Sequence, residues 1–325
     1  MQESGEQYVR RLYEVSRDRY APALAAFAAR WLDELGSEPR GVALCLGRDG
    51  IAPYVAAQTL LRTAPRRFRG VGPRRVGLAY VSRPLARAAA TDPAQARLLD
   101  RYLRGRGAGG GRPLTLVDVG IHGSIQDCLH RLYPGRPVRG HYLVLRRRHA
   151  DPHGAAKRGF LADLDVAPPS PLRLAPSWPP PPGWEVGGEL RAGDACFLRP
   201  RSIHVLEDLW NGVGGSAAGL REEGRPGRVV AVRPREPPEL ALGAPLLPPR
   251  TCARLKRAAL RGVADGVARL SRGGASPDDV PGAVGELAAW FRELEDPAPL
   301  DAGLLDLLVR RRAGGRSGEW EEGEG

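Results

Sequence analysis

Two hydrophobic periodicities alternate along this chain. From about Gln7 to Gly36, Tyr20, Leu24, Phe27, Ala28 and Trp31 recur at helical spacing, which predicts one or two helices. Gly41 to Leu46 is then a continuous apolar run suited to a buried parallel strand. Ala52, Val55, Ala56, Thr59 and Leu60 mark one face of a following helix, and Pro53 suits that helix near its first turn. The loop Gly47-Arg48-Asp49-Gly50 is thereby pinned between a strand's carboxyl end and a helix's amino end.

The alternation continues. RVGLAYVSR predicts a second strand ending at Ser82 and Arg83, and Pro93 to Leu103 a helix. The glycine-rich stretch over 104–112 leads into a third strand, Leu114 to Asp118, and a third helix with Ile125, Cys128, Leu129 and Leu132 on one face. RGHYLVLRRR predicts a fourth strand. Strands alternating with helices imply a parallel sheet joined by right-handed crossovers.

After Gly159 the composition shifts, and VAPPSPLRLAPSWPPPPGW fits neither an ordinary helix nor a central strand. Beyond it, RSIHVLEDLWNG predicts a helix and GRVVAVRP a strand. Cys252 to Leu270, Gly285 to Leu294 and Leu300 to Arg312 predict a helical carboxyl-terminal part. The expected organisation is an α/β Rossmann-like parallel sheet with helices on both faces in 1–160 and a Pro-rich excursion or linker in 161–185. A mainly helical part in 186–312, packed on the core, and a disordered tail in 313–325 complete it.

Charge narrows the partners. The net charge of +12 over 325 residues comes almost wholly from arginine, since Lys157 and Lys256 are the only lysines. A basic surface attracts phosphate esters. The arginines are scattered, however, and no nucleic-acid recognition motif accompanies them, so nucleic acid is not the expected partner. Cys45, Cys128, Cys196 and Cys252 stand far apart without metal-ligand spacing, and read as buried free thiols in a reducing compartment. With no signal peptide and no apolar run long enough for a bilayer, the expected location is cytoplasmic, with no membrane partner.

The candidate chemistry lies in the strand-to-helix loops. In an open parallel sheet ligands bind beyond the carboxyl ends of the strands, and a helix's first N–H groups carry partial positive charge. Gly50, Gly120 and Gly123 permit close backbone approach, and Ser124 can contact a ligand or cap its helix. Arg48 can hold a phosphate bidentately, while Asp118 can contact sugar hydroxyls or a Mg2+ carried by the phosphate. Ser82 and Arg83 lie at a further strand end. Each residue has a plainer reading: Asp118 as a turn cap, Asp49 as an ion-pair partner of Arg48 or an N-cap, the glycines as tight turns. His122 can act as a general base or donate to a loop carbonyl. His204 and Glu207 pair on one helix, where they line the cleft or dress a surface, and Trp178, Trp184 and Trp210 stack on a ligand or fasten a loop.

LGRDG and TLVDVGIHGSI, separated by the glycine-rich 104–112 stretch, resemble the pyrophosphate loop, ribose-phosphate loop and mobile hood of type I phosphoribosyltransferases. That family usually has two adjacent acids and a Thr-Gly pair; here Val117 and Val119 flank a single Asp118, and His122 precedes Gly123.

A longer resemblance runs through YAPALAAFAARWL, LCLGRDG, YVSRPLAR, LVDVGIHGSIQDCL and HVLEDLWNGVGGSAAG. These blocks are similar, in the same order, to a region of predicted haloacid-dehalogenase-like hydrolases linked to cell-surface polysaccharide glycosyltransferases. The resemblance implies that Arg48, Asp49, Gly50, Ser82, Arg83, Asp118, Gly120, Gly123, Ser124 and Glu207, with Gly215 and Ser216, belong to that pattern. The catalytic Asp-x-Asp of those hydrolases precedes this region. Within the chain only FLADLDVAPP spaces two acids that way, Asp163 and Asp165, and Ala167 stands where a hydroxyl or β-branched residue is expected.

The resulting expectation is an enzyme binding a phosphorylated sugar or nucleotide, with phosphoribosyltransferase-like transfer, Asp118, Asp49 and His122 as catalytic candidates, and Mg2+ at Asp118. The alternatives are a non-catalytic accessory domain of a haloacid-dehalogenase-like or glycosyltransferase system and, more weakly, a phosphohydrolase.

Overall fold

The computed structural model describes residues 2–147, 151–165, 196–197, 200–210, 216–224, 228–233, 249–273, 280–294, 298, 301–302 and 304. Five parallel strands form its central sheet: β1 (Val42–Leu46), β2 (Val76–Ala79), β3 (Leu114–Asp118), β4 (Val138–Arg147) and β5 (Lys157–Asp165), in the order β2-β1-β3-β4-β5. Every residue of β1 is buried, because this strand lies between two others with helices on both of its faces. That explains an apolar run without alternation.

Helices cover the two faces. Ala43, Cys45 and Val117 pack toward α2 (Ala21–Gly36), α3 (Ile51–Thr63), α8 (Pro249–Arg272) and α9 (Val280–Glu293). Val42, Leu44, Leu46, Leu114 and Leu116 pack toward α4 (Arg83–Thr91), α5 (Pro93–Arg104) and α6 (Ser124–Leu132). The α/β Rossmann-like expectation and its helical carboxyl-terminal part therefore describe the architecture. A short antiparallel hairpin, β6 (Gly219–Glu222) and β7 (Val229–Val232), adds to the α4/α5/α6 side.

The predicted amino-terminal helix is α1 (Gln2–Val15) continued into α2 through one π turn, Ser16–Tyr20. Such turns distort a helix to accommodate a specific contact. Here Ser16 Oγ donates to the Leu12 carbonyl at 2.6 Å and accepts from Trp210 Nε1 at 2.7 Å, tying the turn to the end of α7 (Pro200–Leu209).

Two elements escaped the pattern. The second strand stops at Ala79, and Ser82 caps α4 by accepting from the Leu85 N–H at 3.3 Å. Ser-Arg-Pro is a helix start, with proline in the first turn where no N–H is required. β5 lies parallel to β4 although a 3-10 turn at Gly154–Ala156 is the only helical element among the described residues of the connection. The Pro-rich segment after Asp165 and the expected tail over 313–325 lie outside the described residues. The four cysteines are buried free thiols. Among the described residues no helix is long and apolar enough to cross a membrane.

Candidate functional site

The strand order places β1 and β3 side by side while their connections leave in opposite directions, to β2 and to β4. A crevice opens above the carboxyl ends of two such strands. The loops carrying Arg48-Asp49-Gly50 and Val119–Gly123 sit there, each leading into a helix. Arg48, at φ 79°, is the one non-glycine residue of positive φ among the described residues, a backbone cost of the kind that clusters at functional sites.

The glycines have steric reasons to be glycine. The Gly50 N–H donates to the Leu46 carbonyl at 2.7 Å, and a Cβ on Gly50 would lie 2.5 Å from that oxygen. Gly123 is the N-cap of α6 at φ 64°, and its Cβ would meet the Tyr142 hydroxyl at 2.8 Å. A Cβ on Gly120 would stand 3.0 Å from Asp118 Oδ2. Ser124 is the first residue inside α6, and no side chain caps either α6 or α3. Capping by Ser124 is thus ruled out, because Gly123 holds the cap position. Both helices direct uncapped amino ends at the crevice.

Charge in the crevice is dominated by carboxylates. Arg48 donates to its neighbour Asp49 through Nε at 2.8 Å and Nη2 at 3.2 Å, so the plainer ion-pair reading of Asp49 holds in this state. Asp118, on the last residue of β3, accepts the Val119 N–H at 2.9 Å. Its carboxyl is nevertheless pushed well above the ordinary carboxylate range, first by burial, then by the negative charge of Asp49, with Glu207 adding to the repulsion. The Val119 N–H and Arg48 oppose this without cancelling it. Glu207, buried on α7, lies close enough for its charge to act on Asp118, far away in sequence but close in space.

Tyr20, which feels the charge of Asp49, lies near the site and was not expected there. Its ring stacks on Trp210 with centroids 3.8 Å apart. The side chain is fully buried and the hydroxyl has no hydrogen-bond partner among the described residues. Burial, and then Asp49, push the phenol upward, so it remains a proton donor. An unsatisfied buried hydroxyl costs about 1–3 kcal/mol. Cys45, below the loops, is likewise held as a thiol by burial and by Asp118.

The remaining candidates separate. Ser82 serves as a cap, and Arg83 is exposed on the first turn of α4, with no contact joining it to Arg48 or Asp118. His122 Nδ1 lies 2.8 Å from the Arg146 carbonyl; a carbonyl only accepts, so Nδ1 carries the proton and the ring is held by β4. Asp163 lies within β5, not at a strand end, and its Oδ2 accepts the Gly159 N–H at 2.9 Å. That bond gives it a structural part in the strand's bend. Trp210 fastens α7 to the π turn. Ser216 is described but joins none of these contacts, and Gly215, Trp178, Trp184 and the side chain of His204 lie outside the described residues.

A second charged group adjoins the crevice. Lys157 is buried at the start of β5 and reaches Asp127 Oδ1 at 2.6 Å, Asp151 Oδ2 at 2.8 Å and the His122 carbonyl at 3.3 Å. The Asp151 carboxylate and the His122 carbonyl accept hydrogen bonds from the ammonium, and Asp127 faces it as an ion-pair partner. The His122 contact grips the Asp118 loop directly. Tyr142, the register partner of Asp118, donates to Gln126 Oε1 at 2.8 Å and lies between the two groups. The one sequence signal for this network was a lysine in a chain that otherwise uses arginine.

Among the described residues no cluster of three His, Cys, Asp or Glu side chains forms a ready-made metal centre. Mg2+ is commonly held by one or two carboxylates together with substrate phosphates, and the surplus of Asp49, Asp118 and Glu207 over Arg48 suits that mode. No protein-family model matches the chain, and no curated protein matches it.

Proposed function

We propose that this chain is an enzyme that binds a phosphorylated sugar or nucleotide above β1 and β3, with phosphoribosyltransferase-like transfer as its chemistry. The observation that carries the reading is the meeting of Arg48, Asp49, Asp118 and Glu207 at the sheet's switch point, with the Asp118 carboxyl raised above the ordinary carboxylate range first by burial and then by its acidic neighbours. The uncapped amino ends of α3 and α6 receive phosphate oxygens, and Arg48 exchanges its Asp49 contact for a phosphate. Asp118 accepts the sugar hydroxyls. It gives up its proton when the negative surplus around it is neutralised. A Mg2+ held by Asp118 together with the phosphates would supply that neutralisation and charge stabilisation.

Calorimetry with phosphoribosyl pyrophosphate and Mg2+ tests this. Wild type should bind with proton release, Asp118→Asn should bind without that release, and Arg48→Ala should bind about tenfold or more weakly. Indifference to every phosphate ester would transfer the reading to a non-catalytic accessory domain of a haloacid-dehalogenase-like or glycosyltransferase system. The closed Arg48–Asp49 pair favours that second reading.

A further inference from the structure

At the β4/β5 edge of the sheet, a cavity of about 250 Å³ opens beside the amino ends of β4 and β5. Its lining is Arg139, Gly140, His141, Ala155, Ala156 and Arg158, which includes no acid. Arg139 and His141 are two residues apart on β4 and therefore project from the same face; Arg158 is the register partner of His141 on β5. Three basic side chains from two strands thus converge on one hollow.

The second layer keeps them in place. Glu34, on α2, accepts from Arg158 Nη1 at 3.0 Å and meets His141 Nε2 at 3.4 Å, so both of its oxygens are engaged at the back of the cluster. Arg30, one turn earlier on α2, is pushed down to about 10 by burial, against the pull of Glu34 and together with the repulsion of Arg158. Burial is the main cause, and the Arg158 charge adds to it. Arg139 is exposed at the mouth and has no hydrogen-bond or ion-pair partner among the described residues.

We infer that this cavity is a binding site for a small phosphate-bearing anion, distinct from the cleft above β1 and β3. A phosphate presents tetrahedral oxygens to planar guanidinium forks, and Arg139 has its full fork available for a bidentate contact. The volume suits inorganic phosphate or a short phosphomonoester and is small for a nucleotide. The site is independent of the proposed function.

Titration calorimetry at low salt, with inorganic phosphate in one arm and glycerol 3-phosphate in the other, tests it on the full chain. Saturable binding is expected in at least one arm, and the stronger arm identifies free phosphate or a phosphomonoester as the preferred form. Arg139→Gln and Arg158→Gln should each weaken it about tenfold, with thermal unfolding showing both variants folded. The exposed Arg97→Gln and the cleft variant Asp118→Asn should leave it unchanged. Absence of saturable binding in both arms overturns the inference. So does binding that survives in Arg139→Gln and Arg158→Gln, and loss confined to Asp118→Asn would assign the anion to the other cleft.

Discussion

Asp118 and Lys157 both neighbour Tyr142, yet they carry charge into the interior in opposite ways. Lys157 is fully buried and directs its ammonium at Asp127, Asp151 and the His122 carbonyl. Asp118 receives one backbone N–H and faces Asp49 and Glu207. A buried ion paired with opposite charges behaves as part of the scaffold. One crowded by like charge is poised for a proton or a ligand. The difference separates a clamp from a candidate working residue within a single patch of the sheet.

The comparison breaks most easily at the clamp. Lys157→Met leaves Asp127 and Asp151 without their cation, and should cost about 3–5 kcal/mol in urea unfolding at neutral pH. A loss comparable to an exposed substitution would remove Lys157 from its scaffold role. Because the Lys157 contact holds the His122 carbonyl, the variant should also weaken ligand binding in the neighbouring cleft.

Asp118 sharpens the contrast through pH. A carboxyl whose folded pKa is raised keeps its proton in the native state after the unfolded chain has released it. Stability therefore falls as pH rises from the ordinary carboxylate value, about 3.9, through the raised folded value. Asp118→Asn should flatten this dependence and be at least as stable as wild type at neutral pH, as read from unfolding midpoints across pH. Superimposable pH profiles for the two proteins would contradict the crowded-acid account.

Smaller effects belong to the loops. Arg48→Gly relieves a positive φ and loses a half-buried ion pair, so its net stability should lie within about 1 kcal/mol of wild type while phosphate-ester binding drops. Ser82→Ala removes a helix cap and should cost about 1 kcal/mol with ligand binding unchanged. Weakened ligand binding in Ser82→Ala would return Ser82 to the site.

Much of the local framework was legible because it depends on neighbours in the chain. The apolar run over Val42–Leu46, the helical spacing before Trp31 and the glycines at Gly50 and Gly123 each act within a few residues. Ser82 and β5 were misread where local cues compete: a Ser-x-Pro cap follows a strand-like run, and a parallel crossover lacks its usual helix.

The chain's order of residues determined by itself that Arg48-Asp49-Gly50 and Asp118 through Ser124 would each bridge a strand's end and a helix's beginning, since periodicity and turn chemistry are short-range. Only the tertiary structure decided that those bridges are adjacent, that Glu207 approaches from α7, that the Tyr20 hydroxyl has no partner among the described residues and that Lys157 is buried between Asp127 and Asp151. The physical reason is that desolvation and Coulomb interaction depend on burial and distance in space, and neither quantity follows from separation along the chain.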